Sequence, residues 1–146
     1  MDAVVEELAA EDAAHLAAVI TAAQADAAVH AIVVLTHTVP HRSLLRKGVY
    51  PKSLLDAAFY GNSACEALPA LDMGRKIALW AFGHSHAGAD AVLGHVRYLS
   101  HPRGRPDDFN RVRYEPLLLE LHAGPDHAPH VSVLPPAAQA PAEVVA

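Results

Sequence analysis

The sequence lacks the features that mark secreted and membrane proteins. Its 146 residues include a single cysteine, Cys65, which cannot form an internal disulfide and suits a reducing compartment. The N-terminus has acidic residues where a signal peptide needs positive charge, and no apolar run is long enough to cross a bilayer. These absences predict a cytoplasmic protein with no membrane partner.

Positive charge is also scarce. The formal net charge is −5, which gives no electrostatic reason to bind nucleic acid. Five arginines lie between Arg97 and Arg113, but Asp107 and Asp108 interrupt them. We therefore expect no nucleic-acid partner.

Aromatic residues make up only 5% of the chain, so its core must depend on leucine, valine and isoleucine. The length suits one domain, because domains most often have about 100–150 residues. From Gly124 onward the sequence contains five of the eleven prolines, many alanines and no periodicity. We predict one domain over residues 1–123 and a disordered, Pro/Ala-rich tail over residues 124–146.

The apolar pattern indicates an α/β fold. It predicts a helix over residues 8–28 and strands at residues 31–35, 76–82, 91–99 and 114–122. The strands at 31–35 and 76–82 are continuous apolar runs, which is typical of strands that are buried on both faces.

Histidine is unusually abundant, and three of the eleven histidines follow apolar strands. Gly83-His84-Ser85-His86 ends one strand, and in extended chain His84 and His86 point the same way. His37 ends another, so two parallel strands would bring all three to the edge where α/β sheets bind ligands. Imidazole binds zinc, iron, manganese and nickel. A metal site and a solvated histidine pair both fit Gly-His-x-His taken alone, whereas His127 and His130 fall in the predicted tail.

The ordered set of segments resembles the last two motifs of calcineurin-like metallophosphoesterases. An apolar strand ends in Thr36-His37 with Pro40 close behind, and a second ends in Gly83-His84-Ser85-His86. The surrounding segments agree, namely Phe59-Tyr60-Gly61-Asn62-Ser63, Arg97-Tyr98-Leu99-Ser100 and Pro102-Arg103-Gly104. The resemblance covers roughly residues 8–122. It implies the second half of an α/β/β/α sandwich.

The resemblance also implies a dinuclear metal centre. His37 and His84 are similar to ligands of the second metal, and His86 is similar to a ligand of the first. Family members hydrolyse phosphate mono- or diesters with metal-activated water, which implies a divalent manganese, iron, zinc or nickel ion here. Asn62 and Arg42 would contact the phosphate, although a turn residue and a surface charge explain them equally well.

The motifs of the family's first half have no counterpart before His37. Asp-x-His, Gly-Asp and Gly-Asn-His are absent, and the aspartates upstream are only Asp2, Asp12 and Asp26. We therefore expect a phosphoesterase fragment that is inactive or impaired alone, with no catalytic residue assigned. Its partner would be a missing N-terminal half or a second copy in a homodimer. A non-catalytic metal-binding or interaction module, and a mononuclear three-histidine hydrolase, stay open as alternatives.

Overall fold

The computed structural model describes residues 3–45, 63–105, 114–125 and 127–135. Over these ranges the chain is a mixed α/β protein with one α-helix and two β-sheets. Two 3₁₀ helices, Arg42–Leu44 and Ser63–Leu71, complete the described elements. Among the described residues, no helix is both long enough and apolar enough to span a bilayer.

Helix α1 spans Ala3–Ala25, close to the predicted range of 8–28. Its alanine-rich sequence has high helix propensity, and Ile20 is buried in the main core. The last turn contains no basic residue. Lys76 supplies that charge from outside, because its Nζ donates to the carbonyls of Ala23, Gln24 and Asp26 at 3.2, 2.9 and 2.8 Å.

The larger sheet contains β1 (Ile32–Leu35), β2 (Ile77–Ala81), β3 (Ala89–Leu93) and β4 (Val96–Ser100) in the order β1-β2-β4-β3. Strands β1, β2 and β4 are parallel, and β3 is antiparallel to β4. The strands predicted at 31–35 and 76–82 are confirmed.

The single strand predicted over residues 91–99 is wrong. The chain reverses at Gly94 and His95, so that β3 and β4 form a hairpin with Leu93 opposite Val96. Gly94 has φ +65°, which the first position of a two-residue hairpin turn requires and glycine adopts without steric cost.

Two apolar clusters cover the two faces of this sheet. On the helical side, Trp80 is fully buried among Ile20, Val34 and Tyr98. On the other side, Val131 packs against Leu79 and its neighbours Ala78 and Leu99. The pairing of β1 with β2 skips one residue, from Ile32 opposite Ile77 to Val33 opposite Leu79. This bulge places both Ala78 and Leu79 in the second cluster.

Burial on both faces is confirmed for β2 but wrong for β1. Strand β1 lies at the edge of the sheet among the described strands, with Val34 buried but Val33 44% and Leu35 72% exposed. The reason is that, among the described elements, the second layer packs over β2 and β4, where Val131 shares a cluster with Leu79 and Leu99, and not over this face of β1.

The second sheet corrects the predicted disordered tail. It is a hairpin of β5 (Leu119–Gly124) and β6 (His127–Val133), so the boundary predicted between residues 123 and 124 falls inside it. Val131 is buried, and the Arg97 guanidinium donates to its carbonyl at 2.7 Å. Antiparallel pairing gives regular structure to a segment whose proline and alanine content predicted disorder. Residues 136–146 of the predicted tail lie outside the described ranges.

Candidate metal centre

The carboxyl ends of β1 and β2 are held side by side by a short ladder beyond the strands. The amide of Thr36 donates to the carbonyl of Ala81, and the amide of Gly83 to the carbonyl of His37, both at 3.0 Å. The indole Nε1 of Trp80 donates to Thr36 Oγ1 at 3.0 Å. These bonds hold the backbone in place where β1 and β2 end and where His37 and His84 follow.

His37 and His84 meet at this edge. His37 Nε2 and His84 Nδ1 are 3.1 Å apart, and the ring centroids are 5.0 Å apart with perpendicular planes. The predicted proximity of these two side chains is therefore observed. The distance suits a hydrogen bond between one protonated and one unprotonated ring nitrogen.

The same separations fit two ligands of one metal ion. With metal–nitrogen bonds of about 2.0–2.1 Å, two imidazoles in tetrahedral or octahedral coordination have donor atoms about 3.0–3.4 Å apart and ring centroids about 5 Å apart. His37 and His84 match both values, at 3.1 and 5.0 Å. Imidazole is a common ligand for zinc, nickel, iron and manganese, so the donor chemistry also fits.

His86 does not follow the predicted extended geometry. His84 and His86 have φ values of +63° and +51°, and the amide of Ser85 donates to the carbonyl of Gly83 at 2.8 Å. The chain thus makes a tight γ-turn centred on His84 instead of running straight. A non-glycine residue held at positive φ costs about 1–3 kcal/mol and occurs preferentially at functional sites. His86 is half-buried in the same loop.

The described residues by themselves do not assemble a complete ligand set. Within the ranges that the structure describes, no three histidine, cysteine, aspartate or glutamate side chains are arranged to hold a metal ion. The predicted trio is thus represented by one close pair, His37 and His84.

The two predicted phosphate-binding residues have different outcomes. Arg42 is exposed and bound to Glu66, whose Oε1 accepts from its backbone amide at 2.7 Å and its Nε at 3.2 Å. Asn62 lies outside the described residues.

Two polar residues that the sequence did not single out are deeply buried. Ser100 ends β4 at the same sheet edge as the histidine pair, and its Oγ is buried with no hydrogen-bond partner in the described part of the chain. Asp72 lies before β2, at the opposite edge, and accepts hydrogen bonds from several segments. Asp72 belongs to no local motif, and Ser100 was noted only as part of the segment Arg97-Tyr98-Leu99-Ser100, so the fold alone reveals that both are buried.

Comparison of the chain with protein-family models, curated proteins and solved structures finds no match. The likeness to metallophosphoesterases therefore depends on the residues themselves.

Proposed function

We propose that this chain supplies the histidine ligands of a metal-dependent phosphoester hydrolase of the calcineurin-like type. The observation that supports the proposal best is the 3.1 Å approach of His37 Nε2 to His84 Nδ1. The pair lies at the carboxyl edge of parallel strands, where α/β sheets bind ligands. Helices on one face of the sheet and a β-hairpin on the other agree with half of an α/β/β/α sandwich.

In this proposal His37 and His84 hold one divalent ion, and His86 contributes to a neighbouring one. When bound, such ions activate a water for attack on phosphorus and offset charge on the phosphoryl oxygens. The backbone bond from Gly83 to the His37 carbonyl holds the two strand exits together. The turn at His84 places its side chain beside His37, so the two rings lie together in the chain itself.

The described residues supply imidazoles but no carboxylate to this centre. Neutral imidazoles do not offset the charge of two dications, and a phosphate-hydrolysing centre needs anionic ligands between its metals. We propose that these carboxylates come from outside the described residues, on a partner polypeptide or on a second copy of the chain. The chain alone should then bind metal weakly and hydrolyse phosphoesters poorly.

Manganese titration of the full chain, followed by electron paramagnetic resonance, tests the metal centre. Manganese is suitable because it binds isolated surface histidines least tightly among the first-row divalent ions. Binding should be lost in His37→Ala and in His84→Ala, and retained in His15→Ala, which removes an exposed histidine from α1. Manganese binding that is measurable in the wild type and equal in all four proteins would refute the centre.

Hydrolysis of an aryl phosphate by the same proteins tests whether the site lacks carboxylate ligands. Little turnover is expected from the wild-type chain with any divalent ion. Robust manganese-stimulated turnover that His84→Ala abolishes would show that the carboxylates are supplied within the chain.

A non-catalytic interaction module is the second candidate. It is favoured by β1, which lies at the edge of the described sheet and exposes the apolar side chains of Val33 and Leu35. Exposed apolar edge strands recruit other chains through their backbone groups. Self-association without metal binding would favour this candidate over the hydrolase.

A further inference from the structure

The outer face of the β5–β6 hairpin gathers several metal-binding side chains. Side chains alternate along each strand, so Leu121 and Val131 lie on one face and His122 and His130 on the other. His122 and His130 are directly opposite each other in the antiparallel register. We call His122, His130, Glu120 and His127 the hairpin histidine cluster.

The members of the cluster are close to one another. The rings of His122 and His130 stack with centroids 4.6 Å apart, and the His127 ring lies 6.4 Å from that of His130. Glu120 Oε2 is 3.4 Å from His122 Nε2, and Ser132 Oγ is 3.0 Å from the same nitrogen. A carboxylate, a hydroxyl and a second imidazole thus surround the ring of His122.

We propose that the hairpin histidine cluster binds one divalent ion of the zinc, nickel or copper class, with His122, His130 and Glu120 as ligands. Imidazole with a carboxylate is a donor set that these ions favour. Two imidazoles on one such ion have centroids about 5 Å apart, and a mixed nitrogen–oxygen pair has donors about 3.0–3.4 Å apart. Glu120 Oε2 and His122 Nε2, 3.4 Å apart, are at the upper end of that donor range, and the 4.6 Å between the ring centroids shows that His130 is within reach of the same ion.

Closure around an ion would require the three side chains to rotate from their present positions. The stacked rings are 11° from parallel, so their in-plane nitrogen lone pairs run side by side and do not meet at one point. This explains why the described residues contain no ready three-ligand cluster. The strand register already fixes the Cβ atoms of opposed residues about 4.5–5.5 Å apart. Exposed side chains exchange rotamers within nanoseconds, so the rings can turn toward a shared ion without moving the strands.

This site is independent of the proposed phosphoesterase centre. It lies on the other sheet and shares no ligand with His37 and His84. An ion held between β5 and β6 would link the two strands across the hairpin. The site would therefore stabilise the paired state of the two strands, because ligands that bind only the folded state shift the equilibrium toward it.

Nickel titration of the full chain by calorimetry tests the proposal. His122→Ala and His130→Ala should each weaken one binding event by at least about tenfold, because loss of even an indirect partner of a metal ligand costs 10–100-fold in affinity. Two controls should retain that event: His15→Ala, on α1, and His37→Ala, which disables the other centre. Acidification should weaken it, since protons compete with metal for imidazole.

Nitrogen-15 spectra of the imidazoles in the wild-type protein provide a test that needs no variant. Substoichiometric nickel should broaden the side-chain signals of His122 and His130. Broadening confined to His37 and His84, or hairpin variants that titrate like the wild type, would overturn the proposal.

Discussion

Asp72 is the buried carboxylate that joins three parts of the fold, and its replacement by alanine should be severely destabilising. Its side chain is 0% exposed. Oδ1 accepts from the Lys76 amide at 2.7 Å and from the Gln24 side chain, while Oδ2 accepts from the Ile77 amide at 2.9 Å. His95 Nε2 lies 2.6 Å from Oδ2. One carboxylate thus links the end of α1, the start of β2 and the β3–β4 turn.

The loss in free energy of unfolding depends on the hydrogen-bond donors that Asp72→Ala leaves without an acceptor. A buried donor that loses its partner costs about 1–3 kcal/mol. The Ile77 amide is buried and should cost the most, whereas the donors of Lys76, Gln24 and His95 belong to partly exposed residues and are closer to water. We expect Asp72→Ala to lower the free energy of unfolding by about 3 kcal/mol.

Urea denaturation followed by circular dichroism measures this loss. Asp72→Asn keeps one carbonyl acceptor and should lose less than Asp72→Ala. Asp12→Ala removes an exposed aspartate from α1 and should change stability by less than about 0.5 kcal/mol. A loss under about 1 kcal/mol in Asp72→Ala, with an unchanged denaturant slope, would show that Asp72 does not hold these segments together.

Three further predictions concern the turn at His84, the buried thiol and the open edge of β1. Because glycine tolerates φ +63° without strain, His84→Gly should be more stable than His84→Ala by about 1 kcal/mol; equal urea midpoints would contradict this. Burial, with a smaller effect of Asp12, raises the pKa of Cys65 from 9.0 to about 11, and burial raises the pKa of Tyr98 from 10.0 to about 12. Both native pKa values exceed the unfolded ones, so the free energy of unfolding should fall as pH rises above about 9, less steeply in Cys65→Ala; identical pH profiles for the two proteins would contradict the assignment. Wild-type chain should self-associate through β1, and Leu35→Lys should reduce this; sedimentation of the wild type as a compact monomer throughout a dilution series would refute it.

The elements that the sequence located correctly are those with strong local signals. The apolar runs at residues 31–35 and 76–82 became β1 and β2, and the alanine-rich segment became α1. The sequence also shows that His37 and His84 come directly after these two strands. Parallel strands place their carboxyl ends at the same edge of a sheet, so the two histidines were expected there. The proximity of His37 to His84 could therefore be predicted without coordinates.

The elements that the sequence missed depend on partners far away in the chain. Residues 127–133 have no strong strand pattern, and only pairing with β5 and burial of Val131 against Leu79 make them a strand. The proline and alanine content of this segment predicted disorder, because composition alone does not show that a distant strand pairs with it. The cluster of His122 and His130 was missed for the same reason, since their register exists only within the hairpin.

The sequence by itself determined where α1, β1 and β2 form and which histidines end the two strands. Helix propensity and apolar periodicity are local properties, and they are legible in a single segment. Only the tertiary structure decided which face of β1 stays exposed, that His84 sits in a left-handed turn, and that Asp72 links three segments. Each of these depends on contacts between residues far apart in the chain, which no local pattern encodes.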